Sequence, residues 1–438
     1  MTGFMSNAEE LRQLFAGKVD GARERLVDLC CDLVATPSEN PPGNTAPIAD
    51  KVCAFLESVP GMVLERVEPK PGIVNVVARL ACGKPGRRLV LNAHLDTFPV
   101  GDASAWTVPP LEGRREGGRI YGRGSSDMKA GLAGALLVAQ MISQERDNLC
   151  GELVLTLVGD EETGGEWGTG YLLKNIPHAA GDAMLSGDAG SPDVLRFGEK
   201  GLVWLEVTAK GVSNHGAHVH LGRNAIDSLL TALARISTLQ NVACPVREDI
   251  LVVMKSARPV SEAISGEGEF DTLSRITVNI GTISGGQAIN IIPARAQAQI
   301  DIRMPPGVET SEIIARVSRM LEDLPDVTFR VISRTEPNVT DPDHEIVMLT
   351  LANARRILGE RVVRNMRVGM SDARLYREHG VPCVVYGPSP NNMGGPDEYV
   401  EEDDLYNVFR VHALTSFDYL SVASAPDNPP SDILEQHS

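Results

Sequence analysis

Apolar segments that end in polar residues are the feature that most constrains the fold of this chain. The runs IVNVVARL (73–80), RLVLNAHLD (88–96) and GELVLTLVGDEE (151–162) read as strands, and MKAGLAGALLVAQMIS (128–143) reads as a helix rich in small residues. Strands that are apolar on both faces are typical of a sheet covered by helices on both sides. Their alternation with helices therefore predicts an α/β fold built on a parallel or mixed sheet.

The pattern changes near residue 199 and changes back near residue 336. The intervening segments predict the order β-α-β-β-α-β of a ferredoxin-like α+β domain. In chain order these segments are GLVWLEVTAKG, RNAIDSLLTALARISTL, RITVNIGTI, ARAQAQIDIRM, TSEIIARVSRMLEDL and VTFRVISRT. We therefore predict a first domain in two parts, residues 1–198 and 336–425, interrupted by a smaller domain at 199–335. Residues 426–438 are expected to form a mobile tail.

Composition and charge exclude several functional classes. The 438 residues carry a net charge of −17, which argues against nucleic acid or an anionic membrane as a partner. No apolar run approaches the roughly 18 residues of a membrane-spanning helix, and the N-terminus lacks an apolar signal core. The seven cysteines have no C-x-x-C spacing. An odd number of scattered cysteines predicts reduced thiols in a cytoplasmic protein.

His94 and Asp96 close one of the apolar strands and are two residues apart. Side chains at this spacing on a strand point to the same face. Functional groups in open α/β sheets gather beyond the carboxyl ends of the strands. A single histidine there is more often a core residue, but a carboxylate on the same face is typical of a metal-bound imidazole that donates its second N–H.

Further acidic residues follow other predicted strands and turns. Asp127 lies in a glycine-rich segment before the small-residue helix, Asp160, Glu161 and Glu162 end a strand, and Asp188 follows another. Taken singly, a helix N-cap or a solvated acidic turn is the simpler interpretation. Because adjacent strand residues point to opposite sides, two neighbouring glutamates would serve different purposes, one binding metal and the other moving protons. Imidazole and carboxylate together suit Zn²⁺, Co²⁺ or Mn²⁺.

Taken in order, these motifs resemble those of a family of zinc amidohydrolases. The family includes acetylornithine deacetylase, succinyl-diaminopimelate desuccinylase, aminoacylases and carboxypeptidase G. The matching segments cover nearly the whole chain and are NAHLDTFP, GRGSSDMKAGLAG, GDEETGG, SGD, NHGAHVHLGRNAI, GGQAINIIPARAQAQIDIRMPPG, MSDARLYREHGVPCVVYGP and PDEYV. The resemblance implies a mixed-sheet metallohydrolase domain with two adjacent metals and an inserted lid domain through which two copies form a homodimer.

The resemblance also implies a set of metal ligands. His94 and Asp188 would bind one metal, and Asp127 would bridge to a second metal bound by Glu162. Zinc is the expected ion, with cobalt and manganese as alternatives.

Other roles follow from the same resemblance. Asp96 would orient the imidazole ligand. Glu161 would be the general base that takes a proton from metal-activated water and returns it to the leaving nitrogen. His215 of the inserted domain would stabilise the oxyanion, and Asn290 and Arg303 would hold a substrate carboxylate.

One position departs from the family pattern. The family's last metal ligand is a histidine shortly before the PDEY segment, and Gly394 stands at that position here. Three arrangements are compatible with this change: a single metal held by the remaining ligands, an oxygen ligand from Asn391, Asn392 or water, or a displaced histidine such as His379. The position of His379 at a predicted helix end favours a capping role instead. Loss of activity is a fourth outcome.

We therefore predict one tightly held metal for each chain, with any second metal bound weakly. The altered loop also suggests that a substrate group fills the space near Gly394. The predicted function is hydrolysis of an amide bond in an N-acyl amino acid, a short peptide or a related small amide with a free carboxylate. The alternative is a small-molecule binding protein that has lost turnover. The chain contains neither the G-x-S-x-G motif of serine hydrolases nor a Walker phosphate loop.

Overall fold

A computed structural model describes residues 7–422 of the chain. Within this range the chain forms two compact units. The first unit comprises the residues up to Phe197, Thr340–Arg364 and the residues from Ser371 onward. The second comprises Gly198–Val339 and Asn365–Met370. The second unit therefore extends beyond the predicted insertion of residues 199–335 and includes a separate later segment. The predicted tail, residues 426–438, lies outside the described residues.

The secondary structure alternates between helices and strands along most of the chain. The helices are α1 (Asn7–Asp20), α2 (Arg23–Val34), α3 (Ala46–Glu57), α4 (Ala130–Glu145), α5 (Thr169–Asn175), α6 (Ala225–Ser237), α7 (Glu248–Ser265), α8 (Glu269–Ser274), α9 (Thr310–Leu321), α10 (Glu345–Leu358), α11 (Ala373–Glu378) and α12 (Glu402–Leu420). The strands are β1 (Met62–Lys70), β2 (Ile73–Ala81), β3 (Lys84–His94), β4 (Arg114–Glu116), β5 (Arg119–Tyr121), β6 (Cys150–Val158), β7 (Ala183–Ser186), β8 (Val194–Glu199), β9 (Gly201–Lys210), β10 (Thr277–Gly285), β11 (Arg295–Met304), β12 (Val327–Thr335), β13 (Asn338–Val339), β14 (Val363–Arg367), β15 (Cys383–Val385) and β16 (Tyr399–Glu401).

A large mixed sheet forms the centre of the first unit. Its strands follow the order β1-β2-β6-β3-β7-β15-β8. Strand β3 runs parallel to β6 and β7, and β7 runs parallel to β15, whereas β2 is antiparallel to both of its neighbours. In β3, Val90 packs with residues of α5 and α11, while Leu89 and Leu91 point to the face contacted by α4 and α12. The predicted α/β fold with a mixed sheet is confirmed.

Helix α4 approaches the end of β7 unusually closely. Nearly all of its residues are buried, as expected for a helix of small side chains packed against a sheet. A Cβ atom at Gly131 would lie 2.3 Å from the carbonyl oxygen of Gly187, and a Cβ atom at Gly187 would lie 2.8 Å from Cα of Gly131. Only glycine permits this contact at both positions. The contact joins the beginning of α4 to the segment that leaves β7.

The second unit contains an antiparallel sheet with the order β10-β11-β9-β12. Alternate residues of β9, among them Val203, Leu205 and Val207, are buried with residues of α6 and α9 in one core. This strand order is that of the split β-α-β unit, in agreement with the predicted order of elements. Helices α7 and α8 are additional elements that the sequence analysis did not predict.

Across residues 7–422, no helix has the length and apolar character needed to cross a membrane.

Candidate metal centre and active site

Three buried side chains of the first unit converge beyond the ends of two parallel strands. His94 is the last residue of β3, Asp188 lies just after β7, and Asp127 lies in the turn that precedes α4. Their ligand atoms all lie within 4.8 Å of one another, and the three residues are 2%, 4% and 8% exposed, respectively. Because β3 and β7 are parallel neighbours, their carboxyl ends bring two of these groups to the same edge of the sheet.

The imidazole of His94 is held through both of its nitrogens. Nδ1 lies 2.8 Å from the backbone carbonyl oxygen of Asp96, and Nε2 lies 3.0 Å from Oδ1 of Asp127. Burial lowers the pKa of His94, but the hydrogen bond to Asp127 and the neighbouring carboxylates raise it well above its usual value. An Nδ1–H that donates to a carbonyl leaves Nε2 as the nitrogen that can bind a metal.

The carboxylate of Asp96 makes further contacts besides the one predicted to the imidazole of His94. Its Oδ1 is 3.6 Å from Nδ1 of His94, so the closer contact to the imidazole is made by the Asp96 backbone. The carboxylate also accepts the backbone N–H groups of Glu161 at 3.2 Å and Glu162 at 3.1 Å, and an N–H of Asn40 at 3.0 Å. Burial raises the pKa of Asp96 to about 6. Asp96 thus links the histidine to the segment that carries both glutamates.

Glu161 and Glu162 lie in a short helical turn, Glu161–Thr163, rather than on a strand. Strand β6 ends at Val158, so the alternation of strand side chains, from which different roles were inferred, does not apply to them. Burial raises the pKa of Glu161 well above its usual value. Burial, followed by the charge of Asp127, raises the pKa of Glu162 to about 10. Separate roles for the two glutamates therefore rest on the resemblance alone.

The donor set around this centre fits a divalent cation. One imidazole and several carboxylates are collected in a buried space, and Oε1 of Glu162 is buried without a hydrogen-bond partner among residues 7–422. Buried carboxylate oxygens are normally paired, so an unpaired oxygen beside further carboxylates indicates that a positive charge belongs there. Imidazole and carboxylate donors of this kind are ligands that divalent metal ions accept.

Two residues of the MSDAR segment contact the stretch that follows the two glutamates, and neither was predicted. Asp372 is 3% exposed and accepts a hydrogen bond from Thr169 Oγ1 at 2.7 Å. Arg374 donates to the carbonyl oxygen of Gly164 at 2.7 Å. Burial raises the pKa of Asp372. The segment was noted only as part of the resemblance, and contacts across some 200 residues leave no local signal in one sequence.

The loop around Gly394 has no side chain at the position of the family's histidine. Gly394 has φ +73°, and a Cβ atom placed there would lie 3.7 Å from the ring of Phe98. The side-chain amide of Asn391 donates to Ser389 O, and that of Asn392 donates to Asp397 O, so both are engaged within the loop.

His379 does not replace the missing ligand in this structure. It follows α11, it is exposed, and its Nδ1 lies 2.8 Å from the carbonyl oxygen of Leu375. The interpretation of His379 as a helix-end residue is confirmed.

The remaining predicted residues belong to the second unit. His215 is exposed, and its Nδ1 accepts the backbone N–H of Ala217 at 3.1 Å, so the neutral ring carries its proton on Nε2. The next residue, Gly216, donates to the carbonyl oxygen of Asn290 at 2.7 Å, so the segments that carry His215 and Asn290 are adjacent. Within this unit, therefore, the predicted oxyanion donor His215 and the predicted substrate-binding residue Asn290 lie on connected loops.

Arg303 is held by neighbours of its own unit. Its Nε lies 3.1 Å from Oδ2 of Asp301, and its Nη1 donates to Val368 O at 2.9 Å. Nη2 has no hydrogen-bond partner among the residues that the structure describes and remains available to a ligand.

Comparison with known proteins identifies the family. The model of Peptidase family M20/M25/M40 matches residues 90–417, and the chain belongs to this family. Succinyl-diaminopimelate desuccinylase of Rhodospirillum centenum is 28% identical over 399 residues, which cover 88% of this chain and 95% of that protein. The suspected relationship is confirmed, and the protein is a metallo-amidohydrolase or metallopeptidase.

Solved structures support the same fold. The M20 family metallo-carboxypeptidase Sso-CP2 of Sulfolobus solfataricus matches with a TM-score of 0.73 and 19% identity, covering 90% of this chain and 99% of that one. The YXEP protein of Bacillus subtilis, described as a dinuclear metal binding peptidase, matches with a TM-score of 0.64 and 15% identity, covering 92% and 99%.

Proposed function

We propose that this protein hydrolyses the amide bond of an N-acyl amino acid, a short peptide or a related small amide with a free carboxylate. The observation that carries the proposal is the buried group of His94, Asp127 and Asp188, which would hold a divalent metal. Glu162 would contribute to a second metal position. A metal in this site, when bound, lowers the pKa of a water molecule and polarises the substrate carbonyl.

The chemistry of the chain itself centres on Glu161. Its raised pKa, which results from burial, makes the carboxylate a better proton acceptor than an exposed glutamate. Glu161 accepts a proton from the attacking water and delivers it to the leaving nitrogen, which departs as a neutral amine. The carboxylate of Asp96 accepts the backbone N–H of Glu161 and so fixes the main chain from which the Glu161 side chain projects.

Three residues of the second unit would bind and polarise the substrate. His215 would donate its Nε2–H to the oxyanion that forms when water attacks the carbonyl. Arg303 would use its remaining donors for the substrate carboxylate, which suits the planar guanidinium, and Asn290 would assist it. The support for these roles is the family resemblance together with the free donor atoms described above.

We further propose that one metal is held tightly and that any second metal is held weakly. Three ligand atoms converge on the first position, whereas the second lacks the histidine that Gly394 replaces. We propose as well that a substrate group lies near Gly394, where the family's histidine side chain is missing. Elemental analysis after dialysis should find one retained ion for each chain, and two firmly retained ions would contradict the proposal.

A direct assay tests the reaction. The purified chain would be incubated with acetyl-, succinyl-, carbamoyl- and glutamyl-amino acids and with dipeptides, in the presence of Zn²⁺, Co²⁺ or Mn²⁺. Release of the free amine by the wild-type protein, and its loss in Glu161→Gln, is expected. Succinyl substrates are included because a relative of 28% identity is named a desuccinylase.

The alternative is a binding protein without turnover, and Gly394 is the observation that favours it. Calorimetric titration of the same compounds separates the two. Binding without amine release under every metal condition would support the binding protein and contradict the hydrolase.

We also propose a cytoplasmic homodimer. All seven cysteines are free thiols, which fits a reducing compartment. In the second unit β10 forms the edge of its sheet, and Ile280 and Ile283 on this strand are 40% and 54% exposed. An open edge with exposed apolar side chains is suited to pairing with a second copy. Light scattering that gives the mass of a monomer at micromolar concentration would contradict the dimer.

A further inference from the structure

Glu398 joins the turn of the metal ligand Asp127 to the loop that contains Gly394. Its Oε1 accepts three hydrogen bonds, from the backbone N–H of Ser126 at 3.1 Å, the hydroxyl of Ser126 at 3.1 Å and the backbone N–H of Asp127 at 3.3 Å. Its backbone carbonyl accepts the N–H of Gly122. Glu398 is 1% exposed, so these contacts lie out of reach of water.

Arg123 completes this arrangement from the same turn. Its Nη1 donates to Oε2 of Glu398 at 2.5 Å, and its Nη2 donates to the carbonyl oxygens of Gly394 and Gly395 at 3.0 Å each. The guanidinium is 1% exposed and lies over the ring of Trp106, 5.1 Å from its centroid. The loop is therefore joined to the turn before α4 in two ways, through the backbone carbonyl groups of Gly394 and Gly395 and through the carboxylate of Glu398.

The geometry of these contacts bears directly on the orientation of Asp127. Hydrogen bonds to its own N–H and to both donors of the preceding residue fix the peptide from which the Asp127 side chain projects. Groups that orient a metal ligand affect metal affinity although they do not touch the metal. A loop that provides no side-chain ligand at Gly394 would still act on the metal centre through Glu398.

We propose that Glu398 is a positioning residue for Asp127 and that the Gly394 loop contributes to metal binding through it. This inference rests on the proposed metal-dependent function. The proposal predicts that the loop is needed for metal affinity even though residue 394 is a glycine, which has no side chain to bind the metal. Arg123 neutralises the buried carboxylate and holds the loop against the turn.

The test measures the dissociation constant for Zn²⁺ or Co²⁺ by competition with a chromogenic chelator, using the metal-free full-length chain. Glu398→Gln removes the charge that attracts the three donors and should weaken binding by about 10–100-fold. The visible absorption of bound Co²⁺, which reports ligand geometry, should change as well. Both readouts are independent of turnover.

Glu402→Gln is the matched control. Glu402 is also buried, at 5% exposed, and is paired with an arginine, since Arg115 contacts both of its oxygens at 2.7 and 2.8 Å. It makes none of the contacts to Ser126 or Asp127 that Glu398 makes. Its substitution should leave the metal dissociation constant within about twofold of wild type. An equal loss of affinity in both variants would overturn the proposal.

Ser126→Ala decides the question if Glu398→Gln does not fold. It removes one of the three hydrogen bonds and leaves the Arg123–Glu398 pair intact, and metal affinity should fall by about threefold or more. A folded Glu398→Gln with wild-type affinity, or a Ser126→Ala variant with wild-type affinity, would overturn the inference. Failure of the wild-type chain to bind metal would instead overturn the proposed function.

Discussion

The two compact units hold their candidate functional side chains in different ways. In the first unit His94, Asp127 and Asp188 are buried, and their ligand atoms lie within 4.8 Å of one another. In the second unit His215 and Asn290 are exposed on loops. The buried groups of the first unit have their arrangement fixed by the packed segments around them, as a site for a small ion requires. Groups that bind substrate can remain solvated until the substrate replaces water.

The largest expected effect is the loss of kcat when Glu161, the proposed general base in the first unit, is replaced. Glu161→Gln should lower kcat by roughly 10²–10⁴-fold, the range for loss of a general base, while the metal content stays unchanged. Steady-state kinetics and elemental analysis of the same preparation test this. Glu166→Gln is the matched control, because Glu166 is exposed on the same loop. A kcat within tenfold of wild type in Glu161→Gln would remove this residue from the mechanism.

Substitution of histidines in the second unit tests whether an exposed side chain there takes part in the reaction. His215→Ala should lower kcat by roughly 10²–10³-fold with a small change in KM, as expected for a donor to the oxyanion. His220→Ala, an exposed neighbour in the same segment, should be close to wild type. Equal losses in the two variants would show that the segment matters for its conformation and not for one proton donor.

A buried histidine outside the site gives the first unit a dependence of stability on pH. Nε2 of His412 in α12 lies 2.7 Å from the carbonyl oxygen of Tyr386, and burial lowers the pKa of His412 to about 4. The unfolded chain binds a proton below about pH 6.5, and the folded chain does so only near pH 4. Stability therefore falls as pH decreases through this window, by about 3 kcal/mol in total.

Urea unfolding at pH 7 and pH 4.5 measures this effect. His412→Gln keeps a donor for Tyr386 but does not titrate, so its loss of stability between the two pH values should be smaller than that of wild type. His220→Gln, with an exposed side chain, should behave as wild type does. Identical pH dependence in wild type and His412→Gln would assign the acid sensitivity to other groups.

The smallest expected effect is on substrate affinity. Arg303→Lys should raise KM by about tenfold with little change in kcat, because a lysine cannot reproduce the fork that binds a carboxylate. Arg330→Lys is a control on the same sheet, where Arg330 is paired with Glu206 at 2.8 Å. A change in kcat alone would mean that Arg303 acts in the transition state and not in binding.

The comparison also shows what one sequence can predict. The groups at the ends of parallel strands, His94 and Asp188, were found because a polar residue after an apolar strand is a local signal and the fold brings such ends together. The β-α-β-β-α-β order of the second unit was predicted from the succession of strand-like and helix-like segments, which is also a local signal. Helices α7 and α8 were not predicted, and α7 contains Pro259, a residue that interrupts the usual sequence pattern of a helix.

Contacts between residues that are far apart in the sequence could not be predicted from local sequence patterns. Glu398 meets Asp127 across 271 residues, and Asp372 meets Thr169 across 203. The carboxylate of Asp96, which was expected to orient the imidazole of His94, lies 3.6 Å from it and also accepts two backbone N–H groups, because the turn after β6 supplies donors that no spacing rule reveals. The direction of a polar side chain is decided by the nearest unpaired donor, which only the folded chain defines.

The contact of Gly131 with Gly187 has a consequence for how this protein can change over time. No side chain separates the two backbones, so the distance between the elements that carry Asp127 and Asp188 is set by the main chain alone. Substitutions among the apolar residues nearby can accumulate without altering that distance. The spacing of Asp127 and Asp188 is thus less sensitive to the size of the surrounding core side chains than a spacing set by interlocking side chains would be.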